Sequence, residues 1–176
     1  MWITTAAQLA EKLPMTAEEL AAVQAVADRY PMCITPYYLG LIDPNDPDDP
    51  IRKMAVPAPI EVEEGGSFDT SGEQSNTRVP GLQHKYLQTA MVLTTNRCAM
   101  YCRHCFRKRL VGLTDEEIAA NFERVTGYIR EHEEITNVLL SGGDSFLNSN
   151  ETIARYLDAL TPVSYTHLRA HETRHD

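Results

Sequence analysis

Cys98, Cys102 and Cys105 stand in the order C-x3-C-x2-C directly after an apolar run. Three thiolates at such spacing can cap three irons of a cubane cluster and leave the fourth iron open. An open iron can take a ligand that reacts, whereas the four-cysteine clusters of electron carriers have every iron capped by protein. The spacing points to chemistry rather than to electron storage. Zinc is the competing reading, with His104 nominally completing a Cys3His set. His104 and Cys105 are chain neighbours, however, and adjacent side chains on one loop rarely both reach one tetrahedral ion. Thiols buried only for packing would not be set among Arg97, Arg103, Arg107, Lys108 and Arg109. That basic surround favours thiolates. The fourth cysteine, Cys33, has no partner at ligand spacing and is expected to pack in a core.

Two further groups of residues carry chemistry. Leu139-Leu140-Ser141-Gly142-Gly143-Asp144 ends a short apolar run with two glycines and a carboxylate. The glycines let backbone carbonyls come close to a ligand, and Asp144 adds negative charge where an ammonium can bind. Alone, Gly-Gly-Asp is usually only a turn. Gln83-His84-Lys85-Tyr86 precedes the cysteines; by residue type, Lys85 is an exposed lysine and Tyr86 a half-buried tyrosine.

Taken together in this order, the three motifs resemble the lysine 2,3-aminomutase family of radical S-adenosylmethionine (SAM) enzymes, and the similarity runs from about Tyr37 to Leu160. The resemblance implies a 4Fe-4S cluster on Cys98, Cys102 and Cys105, SAM at Gly142, Gly143 and Asp144, and pyridoxal 5′-phosphate at Lys85 and Tyr86. It makes zinc hard to sustain. Arg107 matches the arginine that pairs with the substrate carboxylate; without the family, a surface or cluster-neutralising arginine is an equal reading. The implied reaction splits SAM into methionine and a 5′-deoxyadenosyl radical, removes the substrate β-hydrogen, and moves the amino group from C2 to C3, L-lysine becoming L-β-lysine. Glutamate or a protein-bound lysine is the alternative substrate. An external electron donor such as flavodoxin or ferredoxin, and a homo-oligomeric intact protein, follow from the same resemblance. Ser145 departs from the family's usual proline and is expected to loosen the glycine loop.

The composition agrees with a cytoplasmic enzyme. Of 176 residues, 43% are hydrophobic and 23% charged, ordinary for a globular domain. The net charge of −9 argues against a nucleic-acid partner. No apolar run approaches the roughly 20 residues of a membrane span, and the first residues lack the basic and apolar segments expected of a signal peptide.

These motifs need elements to position them. Thr16-Ala17-Glu18-Glu19 is a capping box ahead of Leu20, Val23, Ala27 and Tyr30 on one helical face, and Pro31 stops the helix. The proline-punctuated acidic run from Asp43 to Pro50 is loop, without the ligand alternation of a calcium site. Glu63 to Gln83 reads as a second long polar loop. Ala90 to Thr94 is a strand, Thr114-Asp115-Glu116-Glu117 a capping box leading Ile118, Phe122, Val125 and Ile129 into a helix, and Asn137 to Leu140 a second strand. This is a βαβ unit with the cysteine and glycine loops both at the C-terminal edge of the sheet, so both motifs are expected to face one site.

The fold class expected is therefore α/β: an N-terminal helical segment followed by the first two βα units of an incomplete radical SAM (β/α) barrel. The divisions are residues 1–42 helical, 43–89 a loop-rich linker, 90–162 partial barrel, and 163–176 a non-native tail. That tail shows no strand pattern and resembles read-through at the end of a fragment. Its His167, His171 and His175 match a helical metal face only weakly. A full barrel takes about 250 residues, so the chain is expected to be the front part of an aminomutase and inactive alone, or a non-catalytic cluster-binding fragment. The lysine that anchors pyridoxal phosphate and the acidic residues that read the far amino group of lysine belong to the family's later half.

Overall fold

The computed structural model describes residues 1–63, 65–69, 71–161 and the backbone of 165–168. Its compact units do not follow chain order: one comprises Met1–Phe68 with Ala99–Leu113, the other Asp69–Cys98 with Thr114–Asp176.

In the first unit, capping boxes start two helices. Thr5 and Gln8 cap α1 (Ala6–Ala10), and Thr16 and Glu19 cap α2 (Ala17–Arg29). Thr16 Oγ1 accepts from the Glu19 amide at 3.1 Å while Glu19 Oε2 accepts from the Thr16 amide at 2.7 Å, so two otherwise orphaned donors are satisfied. Proline then opens α3 (Pro36–Leu39) and α4 (Pro50–Ala55), where its missing N–H costs nothing. The acidic run is loop, as expected, and its carboxylates close turns. Asp43 accepts from the Asn45 amide, Asp46 from that of Asp48, and Asp49 caps α4 through the Arg52 amide at 2.6 Å. Leu9, Val23, Met32, Ile34 and Met100 share the core of this unit. Met100 enters it because Ile34 bridges to Ile3 on one side and to Met100 on the other.

The second unit is built on a five-stranded mixed sheet, ordered β1-β2-β3-β4-β5. After α5 (Glu73–Asn76), β1 (Thr77–Val79) and β2 (Leu82–Tyr86) form a hairpin, and β2 runs antiparallel to β3 (Thr89–Thr95). The helix α6 (Phe122–Glu131) leads to β4 (Asn137–Gly142), which pairs parallel to β3; α7 (Asn150–Leu160) leads to β5 (Tyr165–Leu168), parallel to β4. Leu82, Ala90, Val92, Val138 and Leu140 line one sheet face and bury Val125 and Ile129 of α6 and Tyr156 and Leu160 of α7. Burial of this kind contributes about 1.5–3 kcal/mol for each large side chain.

Three expectations need correction. The polar stretch from Glu63 to Gln83 is not loop throughout, since it contains α5, β1 and the start of β2. Gly81 at φ +85° makes the hairpin turn possible, and a Cβ there would meet the Ala119 backbone at 2.3 Å. Second, Thr114 does not start a helix. Its Oγ1 accepts from the Glu116 amide, and the Ala119 amide is already bonded to the Leu93 carbonyl. The helix begins only after Asn121, whose side chain accepts from the Arg124 amide. Third, Tyr165–Leu168 is a strand although no alternation announces one; the open edge of β4 supplies the pairing. His171, His175 and the side chain of His167 lie outside the described residues. Among the described residues no helix is long and apolar enough to cross a membrane.

Candidate functional site

The C-x2-C half of the cysteine motif is a turn: the Cys105 amide donates to the Cys102 carbonyl at 3.1 Å. A four-residue turn brings its first and last residues together, so Cys102 and Cys105 are near neighbours. Burial, and then Cys105, push the Cys102 thiol above its ordinary pKa; an amide hydrogen bond and the Arg103 charge pull it back less. The residues between Cys98 and Cys102 are held as a strand would be. Ala99 O accepts from the Thr35 amide at 3.2 Å and the Tyr101 amide donates to Cys33 O at 2.9 Å. Cys33 packs in the core as expected, and burial pushes its thiol up to about 11.

A buried ion cluster fixes the rest of this segment. The Arg103 side chain is 6% exposed and that of Glu61 8%. Arg103 Nε donates to both Glu61 oxygens at 3.1 Å and Nη2 to Oε2 at 2.7 Å, while Nη1 donates to Pro31 O at 2.9 Å. Lys108 Nζ also donates to Glu61 Oε2 and lies 4.6 Å from the Tyr30 ring centroid. Burial pushes the Glu61 carboxyl up, but hydrogen bonds from Arg103, Lys108 and the Ala58 amide outweigh it, and it settles below the ordinary value of 4.5. Sequence reading missed Glu61, which lies far along the chain from its partners; its one signal is a lone carboxylate among Pro59, Ile60 and Val62.

The glycine motif is held differently. The Gly143 amide donates to Thr95 O and the Asp144 amide to Arg97 O, both at 2.7 Å. Such approach leaves no room for a side chain. Gly142 sits at φ +117°, and a Cβ on it would lie 2.2 Å from Thr95 O; one on Gly143 would lie 2.3 Å from Arg97 O. The glycines therefore serve first to fasten this turn to the backbone that follows β3. Asp144 Oδ1 caps the Phe146 amide at 3.1 Å. The loosening expected at Ser145 is not found. Ser145 is fully buried, its Oγ accepts from Thr94 Oγ1 at 3.2 Å, and Asn148 Nδ2 donates to Thr94 Oγ1 at 2.9 Å. The hydroxyl takes part in a bonded network that proline could not join.

The remaining candidates are spread. Lys85 and Tyr86 are exposed at the end of β2, with Lys85 Nζ donating to Ser71 O at 3.1 Å and lying 5.7 Å from the Tyr86 ring centroid. His84 is buried instead, its ring nitrogens 3.1 Å from Tyr128 Oη and from Leu87 O. Arg107 is buried, its guanidinium 4.6 Å from the Phe106 ring centroid, and His104 is exposed. Among the described residues no three His, Cys, Asp or Glu side chains are gathered as for one metal ion. The donor chemistry nonetheless suits an iron–sulfur cluster: the three motif cysteines are thiols rather than disulfides, and two of them share one turn.

Comparison with known proteins decides the lineage. No family model matches the chain. It is 38% identical over 169 residues to the L-lysine 2,3-aminomutase of Clostridium subterminale, covering 94% of this chain and 41% of that protein. The L-lysine 2,3-aminomutase of Acetoanaerobium sticklandii is 39% identical over 166 residues, covering 93% and 40%. The chain belongs to the lysine 2,3-aminomutase family. Glutamate 2,3-aminomutase of Clostridioides difficile is also similar, at 34% over 165 residues, covering 93% and 39%. The chain thus spans about two fifths of the length of these lysine 2,3-aminomutase relatives. Within the family segment it represents, both motif loops leave the C-terminal ends of neighbouring parallel strands, β3 and β4.

Proposed function

We propose that this chain is the cluster-bearing part of a radical SAM aminomutase that moves an amino group from C2 to C3 of an amino acid, with L-lysine as substrate. The observation that carries the reading is the similarity to L-lysine 2,3-aminomutases over more than nine-tenths of the chain. Cys98, Cys102 and Cys105 would hold the 4Fe-4S cluster, Gly142, Gly143 and Asp144 SAM, and Lys85 and Tyr86 pyridoxal phosphate. When bound, these groups supply radical initiation and a path for the migrating nitrogen.

The protein's own part is binding and orientation. The turn between Cys102 and Cys105 presents two thiols from one short segment, and the bonds from Ala99 and Tyr101 to the Cys33–Thr35 backbone keep its approach stiff. Arg107, a buried guanidinium, would be the residue that pairs with the substrate carboxylate, as the family resemblance implies. Asp144 spends Oδ1 on the Phe146 amide, so its charge is already fixed in direction before an ammonium arrives. Lys85, exposed beside Tyr86, places an ammonium where a phosphate can reach it.

The test uses the protein extended to its relatives' length, reconstituted anaerobically with iron, sulfide, SAM, pyridoxal phosphate and a strong reductant. L-Lysine should give β-lysine. Conversion of L-glutamate instead would select the second reading, which the 34% identity to a glutamate 2,3-aminomutase favours; cleavage of SAM with neither product would refute an aminomutase. Residues 1–176 alone are proposed to cleave SAM without forming a β-amino acid, because more than half of each relative lies outside the matched region.

A further inference from the structure

Glu61 is a buried carboxylate that none of the motifs uses. It sits in the apolar stretch Pro59-Ile60-Glu61-Val62, and among the described residues the side chains that donate to it are Arg103 and Lys108. Arg103 lies inside the C-x2-C turn and Lys108 three residues beyond it. Arg103 is also tied through its own amide to Met54 O at 2.8 Å, and Lys108 Nζ donates back to Arg103 O at 3.1 Å. The carboxylate thus grips the segment at two points, one on either side of Cys105. Cys102, Cys105, Arg103 and Lys108 border one small pocket together with Tyr30 and Tyr101. Two cations on one carboxylate leave a net positive charge at the wall of that pocket. Charges fixed at such short range and low exposure act on a redox centre more strongly than solvated ones.

We propose that Glu61 is a positioning residue for the iron–sulfur cluster: it holds the Cys102–Cys105 turn through Arg103 and Lys108 and sets the local charge that tunes the reduction potential of the cluster bound there. The inference rests on the cluster reading above. It goes further in assigning direction. Neutralising Glu61 exposes the cluster to two uncompensated cations, which favours the added electron and raises the potential. Neutralising Lys108 removes one cation and lowers it. A carboxylate that merely braced the fold would give no such opposed pair.

The experiment reconstitutes the 176-residue chain, Glu61→Gln and Lys108→Met anaerobically, and measures iron and sulfide content, the midpoint potential by titration followed with paramagnetic resonance, and circular dichroism of the cluster-free proteins. Gln keeps an acceptor for Arg103, and Met keeps the length of Lys108, so both variants test charge before packing. The expected result is a more positive midpoint for Glu61→Gln and a more negative one for Lys108→Met, with lower cluster content in Glu61→Gln at equal iron supply. Unshifted midpoints, or shifts of the same sign, overturn the inference while the cluster reading stands. Failure of the unaltered chain to take up iron and sulfide overturns both. If Glu61→Gln does not fold, Lys108→Met decides alone, and an unchanged or raised midpoint there overturns the proposal.

Discussion

The cysteine segment carries a buried ion cluster that the glycine turn lacks. Ala99, Tyr101 and Arg103 make backbone bonds, and from Arg103 onward side chains add a second hold, with Glu61 reaching Arg103 and Lys108 from a distant part of the sequence. The turn at Gly142 and Gly143 is held by backbone, its amides donating to Thr95 and Arg97 carbonyls with no space for a Cβ. Removing atoms should break the first, and adding atoms should break the second. The difference also bears on chemistry. A segment held by charges can tune what binds it, whereas one held by backbone is rigid and electrostatically quieter.

Glu61→Ala should have the largest effect. It leaves buried Arg103 and Lys108 unpaired, a loss of about 3–5 kcal/mol, seen as accelerated amide hydrogen exchange across residues 99–111 with little change across 141–147. Equal protection in both segments would contradict the comparison. Gly142→Ala should cost about 3 kcal/mol, since it combines a disfavoured φ with a backbone clash; the exchange pattern should be the reverse, with residues 141–147 exposed first.

Acid should separate the regions without a mutation. The Glu61 carboxyl lies below its ordinary 4.5 in the folded chain, so its stabilisation is full above that value and is lost as pH falls through the lowered folded value. The cysteine segment should therefore lose protection below about pH 4.5 in the parent chain, and Glu61→Gln should flatten that dependence. A similar acid response in Glu61→Gln would assign the effect elsewhere. The smallest effect belongs to Ser145→Ala. Loss of the Thr94 to Ser145 hydrogen bond should cost about 1 kcal/mol, measured by denaturant unfolding, because the backbone bonds of the turn survive.

The legible parts of the molecule are those whose causes are local. The box at Thr16 and Glu19 forms α2 because both of its hydrogen bonds close within four residues. The same pattern at Thr114 fails because Ala119 is already committed to Leu93 on β3, and no local rule carries that information. The β1–β2 hairpin hides in a polar stretch because Val79 and Leu82 are the only apolar side chains it gives to the core cluster, too few for a visible alternation. In the candidate site, the three cysteines and the Gly-Gly-Asp turn stand out through spacing and residue type. Glu61 and the Thr94, Ser145 and Asn148 network do not, since each depends on partners brought together only by folding.

Cys98, Cys102 and Cys105 are proposed to hold a four-iron cluster with one open iron. Iron, sulfide and absorbance should be measured after anaerobic reconstitution of the parent chain and of four single variants, Cys33→Ala, Cys98→Ala, Cys102→Ala and Cys105→Ala. About four irons per chain are expected in the parent and in Cys33→Ala, with loss of the cluster in each of the other three. Stoichiometric zinc with no cluster absorbance, or a full cluster in Cys98→Ala, would contradict the proposal.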